Sequence, residues 1–114
     1  MTLGQKLKER RIALNLTLRE LAKKVTADFT YLSKIENDKT DHPPSEDLLR
    51  RLAKHLETDA DKLIMLSGQV PEDIRESITK SESAVQFFRS VRERRLDWDN
   101  LNEMLEDHSR KKKR

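Results

Sequence analysis

The chain has 114 residues, enough for one domain, or for one small domain with an appendage. Charged residues make up 39% and hydrophobic residues 34%, and the absence of cysteine excludes disulfide bonds and thiolate metal sites. No apolar run approaches the roughly 18 residues that span a bilayer, and the opening residues lack a signal-peptide apolar stretch. We therefore expect a soluble, cytoplasmic protein with no membrane partner.

The distribution of charge is more informative than the net charge of +3. Residues 1–40 contain nine Lys or Arg against five acids, whereas residues 41–66 contain four bases against six acids. Positive charge gathered in the opening stretch is what a surface that faces a polyanion requires.

The first two predicted helices begin at capping boxes. Thr2 is followed three residues later by Gln5, and Thr17 by Glu20, which predicts helices at about 3–14 and 18–24. The first helix is expected to bury one apolar face, formed by Leu3, Leu7, Arg11, Ile12 and Leu14.

Three further helices complete the first part of the chain. Asp28 is expected to cap the third, which runs to about Asn37, and the loop "DKTDHPP" separates it from the fourth. Ser45 and Asp59 are expected to cap the fourth and fifth. Apolar residues at core spacing are Leu48, Leu49, Leu52, Ala53 and Leu56 in the fourth helix and Leu63, Ile64 and Leu66 in the fifth. Gly68 is a plausible stop.

The rest of the chain is predicted to be a helical extension. Pro71 suits the first turn of a helix at 71–79, and Asp97 is expected to cap the last helix. The stretch "KSESAVQFFRSVRERR" between these two helices has one apolar face, made of Ala84, Phe87, Phe88 and Val91. The apolar stripe of the last helix is made of Trp98, Leu101, Met104 and Leu105. No period-two alternation predicts a strand. We expect an all-α fold with a five-helix domain at 1–68, an extension at 69–108 and a basic disordered tail at 109–114.

The third predicted helix, within "DFTYLSKIEND", has two different faces. With about 100° per residue, Asp28, Tyr31, Leu32 and Ile35 share one arc, which is expected to anchor the helix. The opposite arc presents Phe29, Thr30, Ser33, Lys34 and Asn37. A turn of about three residues joins this helix to the second, and the small Ala22 allows a close crossing. A helix held in this way fits the major groove of DNA, about 12 Å wide.

The run "LGQKLKERRIALNLTLRELAKKVTADFTYLSKIENDKT...PPSEDLLRRLAKHLETDADKLI" closely resembles the XRE, or lambda-repressor/Cro-like, helix-turn-helix family of transcriptional regulators. The resemblance covers about residues 3–66 and implies a five-helix, lambda-repressor-like DNA-binding domain. It also implies a packed motif core, made of Leu21, Ala22, Val25, Leu32 and Ile35.

The resemblance further implies roles for the polar positions. Arg11 and Glu36 match a scaffold ion pair between the first and third helices. The positions from which the helix reads bases are Phe29, Thr30, Ser33 and Lys34. The positions where relatives contact phosphates are Thr17, Leu18, Asn37 and Lys39.

Three residues depart from the family pattern. Thr26 and Asp38 stand where glycine is common, and Leu18 replaces a frequent glutamine, so mainly its backbone N–H is left for a phosphate. Two roles stay open for Phe29, which either packs on a thymine methyl or covers the end of the core. For Lys34 and Lys39 both base and phosphate contacts stay open.

Other kinds of site find little support. His42, His55 and His108 lack metal-ligand spacing, and the acids near the C-terminus lack that of a calcium loop. Neither a glycine-rich phosphate loop nor a nucleophile elbow is present. We expect no metal, no cofactor and no enzymatic activity.

The apolar stripe of the extension needs a partner, since a five-helix domain already closes its own core. The partner is a second copy, the domain itself or a different protein. We favour a homodimer, with dimerisation candidates Phe87, Phe88, Val91, Trp98, Leu101 and Leu105.

The sequence therefore predicts a sequence-specific regulator of transcription that binds double-stranded DNA. Its simplest form is a dimeric repressor that binds a palindromic operator through the helix at about 28–37. The alternative is an antitoxin-like interaction module whose extension captures a partner protein, with DNA binding secondary. A third option is nucleic-acid binding through the "RKKKR" tail alone.

Overall fold

Eight α-helices form the regular structure of residues 1–112, which are the residues described by this computed structural model. In chain order they are α1 Leu3–Ala13, α2 Leu18–Val25, α3 Phe29–Glu36, α4 Glu46–His55, α5 Ala60–Leu66, α6 Glu72–Thr79, α7 Glu82–Glu93 and α8 Trp98–Lys112. The all-α class is confirmed over this part of the chain.

Side-chain caps explain where most of these helices begin. Both predicted capping boxes are present. The Thr2 hydroxyl accepts from the Gln5 N–H, and the Thr17 hydroxyl accepts from the Glu20 N–H. In return, the side chains of Gln5 and Glu20 accept from the backbone N–H groups of Thr2 and Thr17. The carboxylate of Asp28, the hydroxyl of Ser45 and the carboxylate of Asp59 cap the next three helices. These caps satisfy backbone donors that have no partner inside their own helix.

The chain divides into two compact units, Met1–Ile74 and a second that begins at Arg75. The sequence predicts a boundary after residue 68, six residues earlier. In the structure the start of α6 is attached to the first unit, because Pro71 is buried and the Glu72 N–H donates to Glu46 Oε1 at 2.8 Å.

The core of the first unit is almost entirely aliphatic. In this unit α3 packs on α1 and α2, α2 on α4, and α5 on α4 and α1. The fully buried side chains are Leu7, Leu21, Val25, Leu32, Ile35, Leu49, Leu52, Leu56, Leu63 and Ile64. Burial of this much apolar surface, at about 25 cal/mol per Å², stabilises five short helices that would be marginal in isolation.

Three apolar residues predicted to face the core do not. Ile12 is 56% exposed, Tyr31 36% and Leu66 40%. Arg11 takes the inward position on α1 through its bond to Glu36, which turns Ile12 outward. On the short α3 only Leu32, Ile35 and Glu36 are buried, so Tyr31 lies at the edge of the inward face. Leu66 is the last residue of α5, where the apolar face runs out.

The C-terminal tail also differs from the prediction of disorder from residue 109. Residues 109–112 continue α8, and Arg110 Nη2 donates to Asp107 Oδ1 at 2.8 Å on the same helix. Basic side chains in a last turn interact favourably with the helix dipole, which explains why a basic stretch remains helical. The rest of the predicted tail, residues 113–114, lies outside the described residues.

Candidate nucleic-acid interface

Helix α3 is anchored by a short inward stripe of buried side chains. Asp28 Oδ2 accepts from the Tyr31 N–H at 3.0 Å and so starts the helix, and Leu32 and Ile35 are 0% and 2% exposed. Eight residues leave room for little else on that face. Apart from the buried Glu36, the remaining side chains of α3 lie at the edge of this stripe or project away from the core.

The turn between α2 and α3 is tight and lacks glycine. Thr26 has φ 55° and ψ 52°, the left-handed conformation, and the Ala27 N–H donates to the Ala22 carbonyl at 2.9 Å. A β-branched residue is rarely found there, because its Cβ crowds the backbone. Arg51 Nη1 donates to the Val25 carbonyl at 2.6 Å and thereby ties the end of α2 to α4.

A buried ion pair holds α3 against α1. Arg11 Nε donates to Glu36 Oε2 at 2.8 Å and its Nη2 to Glu36 Oε1 at 3.1 Å, while Nη1 donates to the Leu16 carbonyl. The two side chains are only 15% and 5% exposed. This two-pronged geometry sets the rotation of α3 as well as its distance from α1.

Asp38 provides a second clamp between the same two elements. Its carboxylate accepts from Thr2 Oγ1 at 2.6 Å and from the Gly4 N–H at 3.0 Å, and its own φ is 55°. The departure from glycine at this position therefore has a structural explanation, since the aspartate bonds the first turn of α1. Asp38 stabilises the C-terminal end of α3.

The structure places the four base-reading candidates on α3. Phe29, Thr30 and Lys34 are exposed and Ser33 is half-buried. The Lys34 ammonium has no ion pair or side-chain hydrogen bond within residues 1–112. These side chains lie on one projecting helix, opposite the stripe that anchors it.

The four phosphate candidates differ in how free they are. Lys39 is exposed and unpaired in the described part of the chain, whereas Asn37 Nδ2 donates to the Ser33 carbonyl at 2.8 Å. Thr17 Oγ1 accepts from the Glu20 N–H at 3.1 Å and keeps its own proton for a further acceptor. Leu18 packs against the core, which leaves its backbone N–H as the available donor.

Sequence reasoning missed Arg19. Its Cζ lies 4.5 Å from the centroid of the Phe29 ring, and both residues line a groove of ≈ 480 Å³ on α2 and the start of α3. The other residues of this groove are Glu20, Ala22, Lys23 and Ala27. The only sequence signal was an arginine next to the Thr17–Leu18 pair, and nothing in the sequence relates it to a ring ten residues later.

The second unit presents a separate apolar surface. The Phe87 and Phe88 rings meet edge to face at 5.7 Å, and the centroids of Phe88 and Trp98 are 5.5 Å apart. Phe87 is 49% exposed and Trp98 51%. Aromatic rings that contact one another and remain this exposed form a patch of the kind found at protein interfaces.

Three other dimerisation candidates belong to the same unit but differ in exposure. Leu105 is 62% exposed and Leu101 is half-buried. Val91 is 5% exposed, so its side chain is not available to a partner. The exposed part of the predicted stripe is therefore Phe87, Phe88, Trp98 and Leu105.

No metal centre is formed by the side chains that the structure describes, because no three of their His, Asp or Glu groups lie close enough to share an ion. His42 and His108 are exposed and His55 is half-buried on α4. Over the same residues, no helix has the length and apolar character to cross a membrane.

Comparison with known proteins agrees with this geometry. The Helix-turn-helix domain family matches residues 4–69. The crystal structure of SinR, the master regulator for biofilm formation, in complex with DNA is 30% identical with a TM-score of 0.51. That alignment covers 55% of this chain and 98% of the SinR chain. No curated protein shows a significant match.

Two further solved structures extend the likeness beyond α5. ClgR, the clp gene regulator from Corynebacterium glutamicum, is 25% identical with a TM-score of 0.50, over 85% of this chain and 88% of that one. The SinR protein/SinI protein complex is 21% identical with a TM-score of 0.51, over 99% and 100% respectively, which shows a shared fold. The chain belongs to the helix-turn-helix family and is an XRE-type, lambda-repressor/Cro-like DNA-binding regulator.

Proposed function

We propose that the protein is a dimeric transcriptional repressor that binds a palindromic operator through α3. The observation that carries this proposal is the way in which α3 is held in the first unit. Its inner face is fixed by the buried Leu32 and Ile35 and by the Arg11–Glu36 ion pair. Its outer face presents Thr30 and Lys34 to solvent. A rigid helix with unpaired polar groups on its outer face suits the major groove.

The chemistry of these side chains suits base reading. Lys34 donates to guanine O6 or N7, and the hydroxyls of Thr30 and Ser33 donate or accept. Thr17, the Leu18 N–H, Asn37 and Lys39 flank α3 and serve as phosphate contacts, which fix register without specifying sequence. The side-chain amide of Asn37 donates one of its two N–H groups to the Ser33 carbonyl. Its second N–H and its side-chain oxygen remain available for contacts with DNA.

The dimer in this proposal is argued from the short stretch of DNA that a single recognition helix contacts. One recognition helix covers a half-site, and two copies related by a two-fold axis read two half-sites about 34 Å apart. In this proposal the second unit joins the copies through the exposed Phe87, Phe88, Trp98 and Leu105.

Charge in the second unit supports a second copy as the occupant of this patch. Within the described residues, a set of bases in and just after α7 and a set of acids in and just before α8 are exposed and form no ion pair with one another. The bases are Arg89, Arg92, Arg94 and Arg95, and the acids without an ion-pair partner in this part of the chain are Asp97, Asp99, Glu103 and Glu106. If α7 of one copy lies beside α8 of the other, a two-fold axis satisfies both sets at once.

Selection of bound sequences from a random DNA pool tests the proposal most directly. We expect an inverted repeat whose half-sites lie one helical turn apart, about 10 bp, or a multiple of it. A strong single half-site without symmetry would contradict the dimer, and enrichment of no sequence would contradict specific recognition. A repressor further requires that the operator overlap a promoter and that its occupancy lower transcription.

A second candidate function uses the same aromatic patch for a different protein. The exposed Phe87 and Trp98 favour it, as does a fold shared with the SinR protein/SinI protein complex. In this antitoxin-like reading the extension captures a partner and DNA binding is secondary. Co-purification of a stoichiometric second chain from the native cells, lost on Trp98→Ala, would favour this function over the homodimer.

The proposal also places the protein in the cytoplasm and assigns it binding without catalysis. It gives the basic tail at 109–114 a secondary role. Removal of residues 110–114 is expected to leave binding to the selected operator largely intact, because α3 supplies the specific contacts. Loss of all binding on this deletion would instead support nucleic-acid binding through the tail.

A further inference from the structure

Arg19 occupies a position in the interface to which the family resemblance assigns no role. It is the second residue of α2 and is exposed, and its Cζ lies 4.5 Å from the ring centroid of Phe29, the first residue of α3. A guanidinium within about 6 Å of a ring centroid is attracted to the face of the ring. The pair thus joins the beginnings of the two helices of the motif.

The guanidinium of Arg19 has unused hydrogen-bonding capacity. Within residues 1–112 it forms no ion pair and no hydrogen bond to a carbonyl or carboxylate, unlike Arg10, Arg11 and Arg51 of the same unit. An arginine stacked on a ring still presents its N–H donors at the edge of its plane. Contact with the ring restricts the directions in which these donors point.

The structure gives Phe29 a contact that belongs to neither of the two roles that the sequence left open. Its ring is 37% exposed and does not belong to the buried cluster that forms the hydrophobic core. One face is occupied by Arg19, which restricts the approach of a thymine methyl. The ring provides a surface against which the guanidinium of Arg19 packs.

In helix-turn-helix complexes the first helix of the motif crosses the sugar–phosphate backbone while the second enters the groove. We propose that Arg19 binds a DNA phosphate at the edge of the major groove and that Phe29 is its positioning residue. This inference rests on the proposed DNA-binding function. The ligand chemistry is a phosphodiester, so the contact contributes affinity and register without sequence preference.

Four variants of the full chain test the inference: Arg19→Ala, Phe29→Leu, the double variant, and Phe29→Tyr. The probes are a labelled duplex of mixed sequence and a duplex that carries the selected operator, each titrated over a series of KCl concentrations. Arg19→Ala is expected to raise Kd about tenfold on both probes and to reduce the salt slope by about 0.9.

The Phe29 variants separate positioning from direct contact. Phe29→Leu is expected to raise Kd two- to five-fold alone and to have no further effect in the Arg19→Ala background, because its effect acts through the arginine. Phe29→Tyr keeps an aromatic face and is expected to retain wild-type affinity. A merely structural role for Phe29 would give the same loss in both backgrounds and would overturn the positioning role.

Lys62→Ala removes one positive charge from α5 and is the matched control. If Arg19→Ala and Lys62→Ala change Kd and salt slope equally while the wild type binds both probes, the inference fails and the proposed function stands. A loss confined to the operator duplex would make Arg19 a base reader and overturn the phosphate contact. Failure of the wild-type chain to bind either duplex would overturn the proposed function itself. Circular dichroism of each variant verifies that the helices are intact.

Discussion

The Gly4 N–H donates to Asp38 Oδ1 at 3.0 Å, which joins the first turn of α1 to the loop after α3. A Cβ atom on Gly4 would overlap the Glu36 carbonyl group and lie 2.8 Å from Asp38 Oδ1. Because both obstacles hold the C-terminal end of α3, the absence of a side chain at Gly4 sets how closely that helix approaches α1.

Gly4→Ala is therefore expected to destabilise the protein, although alanine is the better helix former. Overpacking of this kind costs about 1–3 kcal/mol. Thermal unfolding followed by circular dichroism measures the loss of stability. The control is Lys8→Ala, which changes an exposed residue of the same helix. A Gly4→Ala protein as stable as the control would show that α1 and α3 separate easily.

Removal of one partner from the Arg11–Glu36 pair is expected to be more damaging. Arg11→Met leaves a carboxylate that is 5% exposed without its cation, at a cost of about 3–5 kcal/mol. Urea denaturation gives this value directly. Adding Glu36→Gln to Arg11→Met is expected to recover part of the loss, since no buried charge then remains.

The Arg50–Glu46 pair on α4, whose side chains are 46% and 24% exposed, provides the contrast. Its atoms are 3.8 Å apart and Arg50 is 46% exposed, so Arg50→Met is expected to cost less than about 1 kcal/mol. Similar losses for Arg11→Met and Arg50→Met would contradict a structural role for the buried pair.

The turn offers a stabilising change. Thr26 is a β-branched residue at φ 55°, and Thr26→Gly removes the crowding there at some cost in unfolded-state entropy. We expect a net gain of about 0.5–1 kcal/mol in the free energy of unfolding. Asn15→Gly, at the same φ, is the control and is expected to gain less, because asparagine tolerates this conformation.

Lys34→Ala tests the reading face of α3. If Lys34 reads a base, affinity for the selected operator is expected to fall by about 1–3 kcal/mol and preference at one position to relax. An equal loss on every sequence, with a shallower salt dependence, would make it a phosphate contact. The control, Lys54→Ala, removes an exposed charge from α4. No difference between these two variants would exclude Lys34 from the interface.

Truncation after Ile74 tests the role of the second unit. This end point keeps the bonds from Gln69 to the Pro44 carbonyl and from the Glu72 N–H to Glu46, so the first unit is expected to remain folded. Sedimentation is expected to show a monomer, and operator binding is expected to weaken strongly. A truncated protein that still sediments as a dimer would place the dimer interface in the first unit.

Local patterns in the sequence predicted the helices and most of the core. The Thr17–Glu20 capping box acts within three residues, and the spacing of Leu48, Leu49 and Leu52 follows from the helical repeat alone. The family resemblance placed Arg11 opposite Glu36, 25 residues apart, where the structure has them. Periodicity alone did not distinguish Ile12 and Tyr31, which lie at the edges of their stripes and are exposed.

The sequence by itself therefore determined an all-α protein, because caps and helical periodicity act between near neighbours, and its resemblance to a known family identified the helix-turn-helix motif with α3 as the outward-facing helix. Only the tertiary structure decided that Asp38 clamps Gly4, that Arg51 holds the end of α2, and that Arg19 rests on Phe29. These contacts join residues from different elements. Which residues meet depends on how two helices cross. The sequence pattern of a polar residue that makes such a contact is the same as that of a polar residue that faces solvent.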